Sequence, residues 1–379
     1  MNSHLEVNAI GPLAGLRVIE LLGLGPGPFV GMMLADMGAE VILIDRASDG
    51  EAPQLTRDIH RRGKKSILLN LKSEKDRKTL LKLCAISDVI FEGNRPGVME
   101  KLGVGPEDCM ARNPALVYGR MTGWGQTGPL AQSAGHDINY ISIVGALHAM
   151  GYADRPPSPP LNLLGDYAGA MFMAFGLMSA VFQSRLSGRG QVVDTAMSDS
   201  VNAMMGLFFS AQDTGIWGTK RESNFLDGGA PYYRVYETRD GKYMSLGAIE
   251  PKFMRLFLQL AELPESILEG HRNQTLWPAL RETIAARFLA KDQREWAEIF
   301  DGTDACVAPV IPFWEAHKHP HNIARNAFIE LEGLRQPAPA PKFSDTPTGT
   351  PGLRATPGQH QDEIIALINA TAMNEKANP

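Results

Sequence analysis

The sequence predicts an α/β protein, with a doubly wound, Rossmann-like large domain and a small α+β domain. Three observations carry this. The first 123 residues alternate short apolar runs with helical stretches, the pattern of a parallel sheet covered on both faces. A Gly/Pro loop, GLGPGP at 23–28, follows the first apolar run where a strand should turn into a helix. Much later, two alternating aromatic-rich runs flank Asp240-Gly241, a hairpin signal.

The elements follow in order. LRVIEL (16–21), AEVILID (39–45), KKSILLN (64–70), DVIFEG (88–93) and ALVYGRMTG (115–123) read as buried strands. Helices are expected at 29–39, closed by Gly38, and at 74–87 behind Ser73. A helix at 136–150, a Pro-rich loop from Pro156 to Pro160, and a long buried helix at 166–186 come next. The uncharged core of that last helix is 16 residues, short of the ~20 that span a bilayer. Residues 188–197 read as a loop and a strand, and 198–212 as a helix. The domain expectation is therefore 1–200 plus 316–379 for the large domain, 201–224 for a linker helix or loop, and 225–315 for the small domain. The tail, ending in a helix at 362–373, has no core of its own and is expected to pack back on the large domain.

Composition narrows the function. Lys plus Arg is 37 and Asp plus Glu 42, a net charge of −5, which argues against a general nucleic-acid coat. The three cysteines, Cys84, Cys109 and Cys306, are scattered and odd in number, so no disulfide framework or CxxC metal site is implied. The start shows no basic segment followed by an apolar run, and the expected address is the cytoplasm. With 38 glycines and 26 prolines, usage exceeds the averages of about 7% and 5% and points to tight loops.

Several residues could carry chemistry. Asp166 heads a long helix behind Gly165, where a carboxylate gains from free N–H groups; a plain helix cap fits the same position. His136 sits in a GHD triplet after a Gly-rich loop and can titrate near neutrality. Glu250 ends a hairpin strand. The loop at 23–28 offers Gly23 and Gly25 as the first two glycines of a dinucleotide fingerprint, with Asp45 as ribose partner. Pro28 occupies the third position, and the prolines remove N–H groups that would face a phosphate, which argues against it. Arg57, Arg61, Arg62, Lys64 and Lys65 form a basic run, either a solvated loop or an anion site. Arg46 and Arg95 also follow apolar strands, where open α/β sheets bind ligands. His317, His319 and His321 flank Pro320 without nearby acids, so a surface loop is expected there and no metal.

Taken together, GPLAGLRVIEL, GPFVGMMLADMGAEVILID, FEGNRPGVMEKLG, GRMTGWGQTGP, GHDINYI, LNLLGDYAGA, GRGQVVDTAM and ACVAPV resemble the family III coenzyme A transferases, in the α-methylacyl-CoA racemase branch. The likeness spans about 11–345. It implies a small domain inserted into a discontinuous large one, an interlocked homodimer, an acyl-CoA thioester as substrate in fatty acid metabolism, and no separate cofactor, membrane or nucleic acid. It implies that His136, paired with Glu250, and Asp166 exchange the α-proton on opposite faces through an enolate. Asn162 and Tyr233 would assist, and the Asp137 N–H would hold the enolate oxygen. Arg46, Lys72, Asn94, Arg95 and Lys101 would hold CoA. The alternative is a CoA-transferase in which Asp166 is the acyl-carrying nucleophile.

Overall fold

The computed structural model describes residues 10–21, 23, 25–46 and 58–377; Leu24 of the first loop and Arg57 of the basic run lie outside them. In chain order the elements are β1 (Arg17–Leu21), α1 (Pro26–Asp36), β2 (Glu40–Arg46), β3 (Lys65–Leu69), α2 (Glu74–Ala85), β4 (Val89–Glu92), α3 (Val98–Lys101), α4 (Pro106–Met110) and β5 (Val117–Thr122). There follow α5 (Asp137–Ile143), α6 (Asp166–Ser187), β6 (Val192–Ala196), α7 (Met197–Met204), α8 (Gly206–Asp213), β7 (Tyr233–Glu237) and β8 (Tyr243–Gly247). The last are α9 (Pro251–Leu260), α10 (Trp277–Phe288), α11 (Gln293–Phe300), β9 (Val307–Val310), α12 (Pro320–Ala324), β10 (Phe328–Leu331), β11 (Leu334–Pro337) and α13 (Gln361–Ala377).

The chain forms two compact units: residues 1–143, 161–203 and 326–379, and residues 144–160 and 204–325. Both are discontinuous. The stretch 144–160, which reads from sequence as part of the large domain, belongs to the second unit. Arg221 explains this by donating to the carbonyls of His148, Tyr152 and Arg155, while the Ala153 N–H donates to Glu222. The stretch expected as a linker helix or loop, 201–224, carries α8, and the expected helix at 198–212 is two helices, α7 and α8. The expected helix at 136–150 stops at Ile143, before Gly145 at φ 81°.

In the first unit six parallel strands run β3-β2-β1-β4-β5-β6, the order of a doubly wound dinucleotide-type sheet. Successive side chains face opposite ways. Val18, Val41, Val89 and Val117 therefore pack on one face with α1 and α6, through Val30, Leu34, Met173 and Leu177. Ile19, Ile42, Ile90 and Tyr118 pack on the other with α2 and α13, through Leu80, Leu83, Ile364 and Ile368. Cys84 and Cys109, distant in sequence, are both buried in this second layer, where the Cys109 Sγ donates to the Val104 carbonyl at 3.3 Å.

Within the basic run, Arg61, Arg62 and Lys64 are buried and spent on ion pairs inside the fold. Arg61 forks onto Asp45 at 3.0 and 2.6 Å, and Ser66 Oγ donates to the same carboxylate at 2.5 Å. Asp45 is thereby committed to the fold rather than to a ribose. Arg62 forks onto Asp36 and donates to Gln336 and the Pro337 carbonyl. Lys64 donates to Glu20 at 2.5 Å and to the Pro28 carbonyl at 2.9 Å. Glu20 is a carboxyl inside a core strand, and burial pushes it up to about 7 against the pull of Lys64. Gly31 is what lets α1 lie over it, since a Cβ there would stand 1.7 Å from Glu20 Oε2.

The tail closes the edge of the sheet. The Ser66 N–H donates to His360 Nδ1 and the Leu68 N–H to Gln361 Oε1, so edge strand β3 is covered by the segment that enters α13. α6 departs from the sequence reading. Its Gly169, Ala170, Met173 and Leu177 face is buried, but Phe175, Phe182 and Leu186 are 75%, 68% and 74% exposed. By length and composition alone it is long and apolar enough to cross a membrane.

The second unit has an antiparallel sheet in the order β7-β8-β9, with Asp240-Gly241 at the hairpin as expected and β9 as a strand the sequence did not reveal. Phe257, Phe288, Trp296 and Phe300 stack in its core.

Lys64→Met should destabilise the chain by about 3–5 kcal/mol in urea unfolding, because Glu20 is left buried without its cation. Glu20→Leu combined with Lys64→Met should recover most of that loss.

Candidate active site

β1 and β4 are neighbours, yet the chain leaves β1 toward β2 on one side and enters β4 from the other. Such a switch point opens a crevice at the carboxyl ends of the strands. A cavity of about 540 Å³ lies there. Gly25, Pro26 and Gly27 of the loop after β1 line one wall and Glu92, Arg95 and Pro96 of the loop after β4 another; His136, Tyr140 and Asp166 also border it. Pro26 and Pro28 sit in the first turn of α1, where a missing N–H costs little.

Asp166 and His136 reach this cavity from the heads of two helices. Asp137, the first residue of α5, is buried, and its Oδ2 accepts the N–H of Gly165 at 2.6 Å and of Asp166 at 2.8 Å. One carboxylate thus satisfies the free donors at the start of α6 and fixes that start against the start of α5. Gly165 is required by space, since a Cβ would lie 2.6 Å from Asp137 Oδ2. On the other side, the His136 N–H donates to Asn139 Oδ1 at 3.0 Å, setting the first turn of α5.

The carboxyl of Asp166 is half-buried and raised above the ordinary aspartate range. Burial is the main cause, and the charge of Asp137 adds to it. The Asn162 Nδ2 donates to Asp166 Oδ2 at 3.2 Å and, with His136, pulls the other way. Tyr140 packs edge-on to Trp124 at 4.8 Å between centroids, and its hydroxyl donates to the Gly135 carbonyl. A Cβ at Gly123 or Gly135 would strike the Tyr140 ring at 2.1 or 2.8 Å, so the glycines of GRMTG and AGHD make room for it.

The structure places His136, Asp137, Asn162 and Asp166 together in the first unit. Glu250 and Tyr233 are in the second, at the end of the β7–β8 hairpin where Tyr233 pairs with Gly247; Glu250 precedes α9 and both are exposed. Arg46 at the end of β2, Lys72 after β3, Arg95 after β4 and Lys101 in α3 are exposed. They form a row along the carboxyl edge from β3 to β4, about 14 Å at ~4.8 Å per strand. Asn94, between them, gives its N–H to Glu92 and its amide to Met99 Sδ at 3.4 Å. Sequence reasoning missed Glu92, Arg120 and Tyr140, although an acidic residue ending an apolar strand, as in VIFE, is a signal for such a role. Among the described residues no group of three or more His, Cys, Asp or Glu could hold a metal, and His319 Nδ1 accepts the His321 N–H instead.

Gly165→Ala should cost about 1–3 kcal/mol by overpacking against Asp137. The loss should be strongly non-additive with Asp137→Ser in a thermal-unfolding cycle, because the smaller side chain removes the clash.

The profile of CoA-transferase family III matches residues 13–362. Alpha-methylacyl-CoA racemase of Mus musculus is 44% identical over 358 residues, covering 93% of this chain and 92% of that protein. Its Homo sapiens counterpart is 42% identical over 359 residues, with the same coverage. A crystal structure of a CaiB/BaiF family protein from Brucella suis shares the fold, at TM-score 0.76 and 24% identity over 95% of this chain and all of that one. The chain belongs to the CoA-transferase family III.

Proposed function

We propose that this chain is an isomerase that inverts the α-carbon of 2-methylacyl-CoA thioesters by proton transfer on two faces. The observation that carries the reading is the pairing of His136 and Asp166 at two helix heads in one cavity, with the carboxyl of Asp166 raised by burial. The family-wide match and the two racemases among its relatives support it.

The α-proton of a thioester is weakly acidic, so its removal needs a base matched to the task and a donor for the developing oxyanion. Asp166, its carboxyl raised by burial, takes the proton from one face, and the electron pair spreads onto the thioester oxygen. His136 returns a proton to the other face. In the reverse direction the roles exchange. The N–H of Asp137 at the head of α5 is the proposed oxyanion donor, and Asn162 keeps the Asp166 carboxylate aimed. Arg46, Lys72, Asn94, Arg95 and Lys101 hold the phosphates of CoA along the sheet edge. Glu250 and Tyr233 complete the set assigned by resemblance. Acyl-CoA is the substrate, and no further cofactor enters the scheme.

We also propose a homodimer. The exposed Phe175, Phe182 and Leu186 face of α6 is of the kind that marks an interaction site, and a second copy would cover it. Phe175→Asp with Phe182→Asp should shift the particle to the monomer mass in light scattering.

In deuterated water, a 2-methylacyl-CoA should exchange its α-proton and racemise. His136→Ala and Asp166→Ala should each slow racemisation by about 10²-fold or more. Wild-type racemisation by either variant would overturn the scheme. An acyl group trapped by hydroxylamine on Asp166, without α-exchange, would favour the transferase chemistry instead.

The pH profile follows from the direction of the shift. Where Asp166 removes the proton it must be ionised, and burial places its titration above that of a free aspartate. The acid limb of kcat/KM should therefore lie above the ordinary range. Asn162→Ala removes a hydrogen bond that favours the charged form, so the limb should move to higher pH.

A further inference from the structure

The loop after β4 is anchored on its inner side and linked on its outer side, and the two attachments differ in kind. On the inner side, buried Glu92 accepts the Asn94 N–H with one oxygen and Arg120 Nε at 3.2 Å with the other. Arg120 then forks onto Glu100 of α3 at 2.7 and 3.2 Å. Asn94 also donates to Met99, and the Val98 N–H donates to the Arg95 carbonyl. This side is a charged, mostly buried base. On the outer side, Gln132 Nε2 donates to the Pro96 carbonyl at 3.0 Å.

Gln132 belongs to the stretch that runs into His136. Upstream, that stretch is tied by the Gly125 N–H to Thr122 Oγ1 and the Gln126 N–H to Asp194. Downstream, it is tied by Tyr140 to Gly135. Between these ties lie local turns, with the Ala131 N–H donating to the Gly128 carbonyl and the Ser133 N–H to the Leu130 carbonyl. Gly128 has φ 92° and open space around its Cβ position. Among the described residues the Gln132–Pro96 bond links this stretch to the loop of Arg95. Arg95 and His136 border the same cavity.

We propose that Gln132 is a positioning residue that ties the placement of His136 to occupancy of the Arg95 loop by the phosphate-bearing end of a CoA thioester. This rests on the racemase reading. Binding energy gathered at phosphates remote from the reacting carbon is thereby spent on orienting His136, and shows as rate rather than as affinity. Gln132 is exposed, so its replacement leaves the core untouched. Gln132→Met keeps the length and removes the donor.

The test compares a 2-methylacyl-CoA with the matching acyl-pantetheine thioester, which lacks the nucleotide phosphates. In the wild type, kcat should be higher for the CoA ester. Gln132→Met should lower kcat for the CoA ester by about three- to tenfold, the range one neutral hydrogen bond supports, with KM nearly unchanged. Its kcat for the pantetheine thioester should equal the wild-type value. An equal fall on both thioesters would show a merely structural role, and no fall on either would show no tie; both overturn the proposal. A second reading uses CoA itself as the probe. The His136 imidazole resonance should shift on saturation in the wild type and stay unmoved in Gln132→Met. A shift of the same size in both overturns the tie. Absence of α-proton exchange with either thioester, beside a wild-type shift lost in Gln132→Met, would instead sink the racemase reading and leave the tie standing.

Discussion

The carboxylate of Asp137 is the interaction on which the site depends. A helix start leaves donors unsatisfied, and a buried one needs an acceptor. α6 obtains that acceptor from the first residue of another helix rather than from its own cap. The consequence is geometric. Because Asp137 follows His136 and holds the N–H of Asp166, the two acid/base candidates are fixed one residue away on either side of a single buried group. Glycine at 165 is then a requirement of contact, since any side chain would enter the space of that carboxylate. Burial is the main cause that raises Asp166 and the same charge adds to it, so this one group bears on both position and acidity.

A second constraint operates under the crevice. The sheet face covered by α1 contains carboxyls that an apolar strand would not be expected to hold, Glu20 in β1 and Asp45 in β2. Each is matched by a cation from the segment before β3 or its first residues. Burial of unpaired ions is costly, so these pairs fix the register of 61–65 against β1, β2 and α1. Lys64 also holds the Pro28 carbonyl, and with it the first turn of α1 that forms one wall of the crevice. Arg62 reaches Gln336 and Arg61 the Ala355 carbonyl, which brings the tail back to the sheet. The stability of the floor and the return of the tail are thus one network.

What the sequence made legible is what depends on local period and on motif. The five apolar strands, the hairpin at Asp240-Gly241 and the helix led by Asp166 follow from spacing alone. The placement of His136 beside Asp166 followed from resemblance, and the structure supplies its physical cause in Asp137. What failed depended on distant partners. Arg61, Arg62 and Lys64 look like an anion site in sequence because their acids are remote, at 45, 36 and 20. The α6 helix reads as buried because its residues are apolar all round, yet only one face packs in its own unit. β9 was not visible because it is completed by β8 from sixty residues away. The break between α7 and α8 falls at Met205, the residue that caps α8.

The chemistry proposed here asks two opposed things of one surface. The CoA end needs positive charge, and the reacting carbon needs a carboxyl held above the ordinary aspartate range. Cations close to Asp166 would lower its titration and spoil it as a base. The strand order separates the two needs. Cations sit at the ends of β2 and β4 and behind β3, while Asp166 stands at the head of α6 with Asp137 beside it and buried surface around it. Arg120 of β5 is neutralised by Glu92 and Glu100 and so adds little field of its own. A net charge of −5 is compatible with an anionic substrate for the same reason. In the proposed chemistry the cations after β2, β3 and β4 would meet the phosphates, while the carboxyl at the head of α6 stays raised by burial.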